Sequence, residues 1–178
     1  MNLKILLSTV IIISFIVFGL LYVTTQRAVA YDNYGLRFIA YLDPDQIVSD
    51  YKDYSIDSHG VVYLSIDPSF GEIDFEVFFE GMSYLEGDDV EIVQIHLGRP
   101  GQNGPTILSL CNEKTGVGHC REGPGLSVEG TLTVNDLEGP LNDASISELI
   151  RLIESGESYV YVQSRDHPEG EIRGQIYY

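Results

Sequence analysis

The sequence predicts a mainly β domain, an antiparallel Greek-key or immunoglobulin-like β-sandwich of about seven or eight strands with one short helix. Three observations carry this expectation. From Tyr31 onward the apolar residues recur with period two. Gly- and Asp-rich turns separate the alternating runs. A single later stretch departs from this rhythm and takes helical spacing.

The N-terminus is read first as a targeting segment. Met1 to Lys4 carries a small positive charge, Ile5 to Val23 has no charge over 19 residues, and Ala28-Val29-Ala30 has the small-x-small form of a signal cleavage site. The apolar run exceeds the usual signal core of about 7–15 residues. It is long enough for a bilayer, which takes about 20 residues. Residues 1–30 are therefore expected to be a signal peptide or an N-terminal membrane anchor through residues 5–23, cleavage being favoured. Either places residues 31–178, one domain, in the secreted fraction or at the cell surface.

The strands follow in order. "LRFIAYL" (36–42), "GVVYLSID" (60–67) and "EIDFEVFFE" (72–80) alternate. The last sets Ile73, Phe75, Val77 and Phe79 on one face and Asp74 and Glu76 on the other, the mark of a sheet with one wet side. "PSFG" (68–71) predicts a hairpin turn between the second and third runs. "VEIVQIHL" (90–97), "TILSL" (106–110), "SVEGTLTV" (127–134), "SYVYVQS" (158–164) and "EIRGQIYY" (171–178) continue the series. "LNDASISELIRLIESGE" (141–157) carries Ile146, Leu149, Ile150 and Ile153 at helical spacing, with Ser145 and Glu148 as a capping box and Gly156 as its end. Residues 43–59 read as an exposed polar loop.

Charge and cysteine usage narrow the function. The chain has 27 acidic and 10 basic residues, a formal charge of −17. Phosphate backbones need a basic patch, so nucleic acid is not an expected partner. Cys111 and Cys120 are the only cysteines, an even count that suggests a disulfide in an exported chain.

Two stretches hold candidate chemistry. In "IHLGRPGQNGP" (95–105) a strand runs into a Gly-rich loop, but no Lys-Ser/Thr and no helix follow, so it is not a phosphate loop. Gln94 and His96 share one face of their strand. At the C-terminus, Tyr159, Tyr161, Gln163, Glu171, Arg173 and Gln175 are expected on the outer face of a hairpin. Gly174 faces inward, where it permits close approach. Arg173 beside Tyr161 would make a cation–π contact. No G-x-S-x-G elbow and no H-E-x-x-H is present.

These blocks carry a resemblance. "IHLGRPGQNGP", "DLEGPL" (136–141), "ELIRLIESGESYVYV" and "HPEGEIRGQI" occur in the order seen in CHRD domains, the repeated modules of chordin that also occur singly in exported microbial proteins. The resemblance spans about residues 36–178. It implies an extracellular β-sandwich module without a defined catalytic activity. Many members carry a His-x-His at the first motif and a further His in the strand before the last. The matching positions are Gln94, His96 and Gln163, so two of three imidazoles are amides. Glutamine is a poor partner for copper or zinc beside imidazole.

The expected function is thus an exported, non-catalytic binding or structural module with no cofactor, whose partner is an extracellular protein or polysaccharide. The candidate ligand-binding polar cluster is Gln94, His96, Asn103, Tyr161, Gln163, Glu171 and Arg173. The alternative is a copper- or zinc-binding redox or carrier protein that uses His96, by fold analogy with Cu,Zn superoxide dismutase. A sugar could also be met by exposed Tyr159, Tyr161 and Arg173.

Overall fold

The computed structural model describes residues 35–49, 57–81, 90–112, 120 and 127–178. The expected signal or anchor segment, residues 1–30, lies outside them, as does His119. Among the described residues no helix is long and apolar enough to cross a membrane.

Among the described residues eight strands form: β1 (Leu36–Leu42), β2 (His59–Asp67), β3 (Glu72–Glu80), β4 (Val90–Leu97), β5 (Thr106–Asn112), β6 (Ser127–Thr133), β7 (Ser158–Ser164) and β8 (Ile172–Tyr177). All pairings are antiparallel, in the order β5-β4-β7-β8-β1-β2-β3-β6. Two four-stranded ladders meet through the short β1/β8 pairing of Ile39 with Tyr177 and Ala40 with Ile176. At the far edges Leu108 bridges Leu137, and the Glu138 amide donates to the Ile107 carbonyl at 3.0 Å. The sheet therefore nearly closes around one core, and the mainly β class stands.

Alternation explains most strands. On β3, Ile73, Phe75, Val77 and Phe79 are buried while every second residue between them is exposed. Each such apolar side chain contributes about 1.5–3 kcal/mol on leaving water. The turn after β2 closes with the Gly71 amide on the Asp67 carbonyl and the Ser69 amide on the Asp67 carboxylate, both 2.8 Å. Cys111 and Cys120 form the disulfide, with Cα atoms 5.4 Å apart.

Helix α1 (Ile146–Glu154) buries Ile146, Leu149, Ile150, Leu152 and Ile153 against the core. Ser145 is its N-cap residue, but the expected capping box does not form. Glu148 instead takes the Arg151 fork, Nε to Oε2 at 3.1 Å and Nη2 to Oε1 at 2.8 Å. A bidentate charge-assisted pair outcompetes a reach back to one backbone amide. Gly156, at φ +69°, ends the helix.

Two expectations about exposure are corrected. Strand β8 does not alternate in burial: Ile172 to Ile176 are all buried, because both its faces are covered. Residues 43–47, expected as exposed loop, form part of that cover. Asp43 and Arg173 exchange both backbone hydrogen bonds, at 3.0 and 3.1 Å. Pro44–Gln46 makes a 3-10 turn capped by the Asp43 side chain, and Ile47 is buried.

Candidate functional site

Pairing across β5, β4, β7 and β8 sets the predicted polar residues in rows on the outer face. Ser109, Gln94, Tyr161 and Arg173 fall in one row, and Thr106, His96, Tyr159 and Gln175 in the next. A loop of residues 98–104 then folds over the second row. Its turn is "RPGQ", closed by the Gln102 amide on the Arg99 carbonyl at 3.0 Å. Pro100 presets the first central position, and Gly101, at φ +78°, takes the left-handed second one that favours glycine.

Arg173 anchors this loop. Its side chain is 1% exposed. Nη2 donates to the carbonyls of Arg99 (3.1 Å) and Gln102 (2.9 Å), and Nη1 donates to Asn103 Oδ1 (3.2 Å). Asn103 Nδ2 passes the link on to the Val48 carbonyl at 2.8 Å. The guanidinium sits 3.5 Å from the Tyr159 ring centre, so the cation–π partner is Tyr159 and not the expected Tyr161. Tyr161 is the cross-strand neighbour in register, but the long side chain leans along the strand to the diagonal ring. No carboxylate pairs with Arg173 among the described residues. Burial pushes its pKa below the ordinary guanidinium value, opposed by the two neighbouring tyrosines.

Gln175 acts in parallel. Its Nε2 faces the carbonyls of Gly98 (3.0 Å), Gly156 (2.8 Å) and Ser158 (2.8 Å), joining the loop to the end of α1 and the start of β7. Gly174 between them turns inward. A Cβ there would collide with the Tyr41 carbonyl and come within 2.7 Å of Leu42 Cδ2. Beside the loop, a cleft of about 310 Å³ lies between residues 45–49 and Pro100–Gly101, with Arg173 and Gln175 in its wall.

His96 is the centre of the second half. Its ring stacks on Tyr159 at 5.3 Å and meets the edge of Tyr161 at 5.2 Å. Nδ1 must donate to the Gly104 carbonyl at 2.9 Å, which leaves Nε2 as the acceptor in the neutral ring. Nε2 faces the Thr106 hydroxyl at 3.4 Å and Gln94 Oε1 at 3.3 Å. Gln94 Nε2 donates to Ser109 Oγ (2.9 Å), which donates to Glu138 Oε1 (2.7 Å). Burial lowers the His96 pKa below its ordinary value, the bond to Gly104 opposing.

The structure thus brings Gln94, His96, Asn103, Tyr161 and Arg173 into one network. Gln163 joins only through the Tyr161 hydroxyl, whose pKa burial raises. Glu171 does not join it: it is buried and takes a short hydrogen bond from Ser58 Oγ. Tyr159 is 2% exposed, so the expectation of an open sugar platform of Tyr159, Tyr161 and Arg173 is overturned by the loop that covers it. Thr106, Ser109 and Glu138 were not singled out from the sequence. The hydroxyls of "TILSL" interrupt an apolar run and were the available signal, but two register shifts between β4 and β5 decide where they point.

The donors around His96 do not suit copper or zinc. One imidazole, two phenols, an amide and a hydroxyl surround it, and its Nδ1 is committed to a backbone carbonyl. Among the described residues no group of three or more His, Cys, Asp or Glu is placed to hold a metal ion.

Among the described residues, a nearly closed antiparallel sheet, a helix and a C-terminal hairpin locked under a Gly-rich loop define a mainly β module. The family model of the CHRD domain matches residues 38–176. The chain belongs to the CHRD domain family. No curated protein and no solved structure matches it significantly.

Proposed function

We propose that this chain is an exported, non-catalytic CHRD module that serves as a binding or structural unit outside the cell or at its surface. The observation that carries the non-catalytic part is the saturation of the polar cluster. Arg173, Gln175 and His96 spend their donors on backbone carbonyls and neighbouring side chains, which fixes a loop, and the hydroxyl that faces His96 Nε2, that of Thr106, also faces Gln94 Oε1 at 3.3 Å within the same network. Export is supported by the signal-like N-terminus and by the disulfide formed from the only two cysteines. The test has two arms. Protease added outside intact cells that make the full chain should remove the domain and spare a cytoplasmic marker. A protected domain with reduced cysteines overturns export. Turnover of a substrate by purified protein, lost on His96→Ala, overturns the non-catalytic reading.

A further inference from the structure

Among the described residues, no loop covers the outer face of β1, β2, β3 and β6 as residues 98–104 cover that of β7 and β8. Register lines its side chains up in rows. Arg37, Ser65, Asp74 and Thr131 form one row, and Ile39, Tyr63, Glu76 and Glu129 the next. A groove of about 790 Å³ runs across the strands between them, floored by Phe38, Leu64, Phe75 and Gly130. Tyr63 (47% exposed) and Phe78 (43%) stand on its second wall and beyond it, in edge contact at 6.2 Å.

Among the described residues that line this groove, three are carboxylates, Asp74, Glu76 and Glu129, and one is a guanidinium, Arg37. Glu76 and Glu129 lie directly opposite each other in register, an arrangement that destabilises a strand pair when nothing lies between the charges. Neither makes a hydrogen bond or ion pair with another described residue. Asp74, beside them, accepts a hydrogen bond from Thr131 Oγ1 at 2.6 Å. Arg37 lies in the same row as Asp74, two strands away.

We propose that this face docks a basic, extended polypeptide segment, with Lys or Arg heads between Glu76, Glu129 and Asp74 and their stems across Tyr63 and Phe78. The proposal rests on the reading of the domain as a binding module and names its partner's chemistry. Charge complementarity selects the occupant. Carboxylates attract the heads, and the aromatic rings hold the cations and their aliphatic stems. A second copy of this chain would bring the same carboxylates against themselves.

The probe is a short labelled peptide alternating arginine and serine, followed by fluorescence anisotropy against the purified full chain at physiological salt. Its glutamate counterpart and a neutral chito-oligosaccharide are run beside it. The basic peptide is expected to bind. Tyr63→Ala, which leaves the net charge unchanged, and Glu76→Gln with Glu129→Gln should each weaken it about tenfold. Removing two distant carboxylates, Glu154→Gln with Glu169→Gln, should change it less than about twofold. Equal loss in the face and distant variants overturns the proposal in favour of net-charge attraction. Binding of the oligosaccharide alone overturns it and leaves the binding-module reading standing.

Discussion

The guanidinium of Arg173 lies 3.5 Å above the centre of the Tyr159 ring and, with no carboxylate beside it among the described residues, hands its charge to three oxygens of residues 99–103. A buried cation held in this way is a geometric device, since only a planar fork reaches all three acceptors at once.

Arg173→Lys should therefore cost about 2–4 kcal/mol of stability, because several charge-assisted bonds go and carbonyls are left unpaired. Denaturant unfolding measures the loss. Amide exchange should rise selectively across residues 99–104, whereas a loss spread evenly over all strands would argue against the anchoring role.

Gly174 and Gly101 should respond oppositely in size. Gly174→Ala drives a methyl into the Tyr41 backbone and should cost at least about 2 kcal/mol. Gly101→Ala meets no atom within 4 Å and should cost only about 1 kcal/mol, from its positive φ. Thermal melts of the two variants check the order.

His96 should make the fold acid-sensitive. Burial lowers its folded pKa below the unfolded value near 6.5, so the unfolded chain binds more protons in the window beneath that value. Its contribution is present above about pH 6.5 and is lost as pH falls through the window between the two pKa values. His96→Gln should flatten the fall in unfolding free energy on acidification, measured by urea titrations from neutral to mildly acidic pH.

Replacing Cys111 and Cys120 together by Ser should lower stability by roughly 2–3 kcal/mol, the entropy returned to a short loop of unfolded chain. Ser158→Ala should do no harm. Its hydroxyl is the one buried side-chain group without a hydrogen-bond partner among the described residues, and removing it should be neutral or stabilising by up to about 1 kcal/mol. Equilibrium unfolding of both variants tests the pair.

The strands were legible where one face is wet, as on β3, because water imposes the period-two pattern that Ile73 to Phe79 display. The pattern misleads on β8, where Arg173 and Gln175 look solvent-facing yet lie under chain that is distant in sequence. His96 and Gln94 were legible as one face of one strand. Their partners were not, since bulges between β4 and β5 and the fold of residues 98–104 bring in Ser109, Thr106 and Gly104. The capping box failed for a nearer reason: Arg151, one turn along, competed for Glu148.

The two residue pairs that join β1 to β8 connect strands almost the whole domain apart in sequence. Contacts of such separation slow folding, because the chain between must be ordered before they form. The ladder of β1, β2 and β3 is built from local hairpins and can assemble early. The other ladder takes β8 as an outer strand, and the Arg173 anchor arrives only with it. Until then the loop of residues 98–104 lacks its clamp and the seam stays open. The completed sheet is thus a late, cooperative event, and a chain cut before Ile172 should remain a partly assembled, protease-sensitive intermediate.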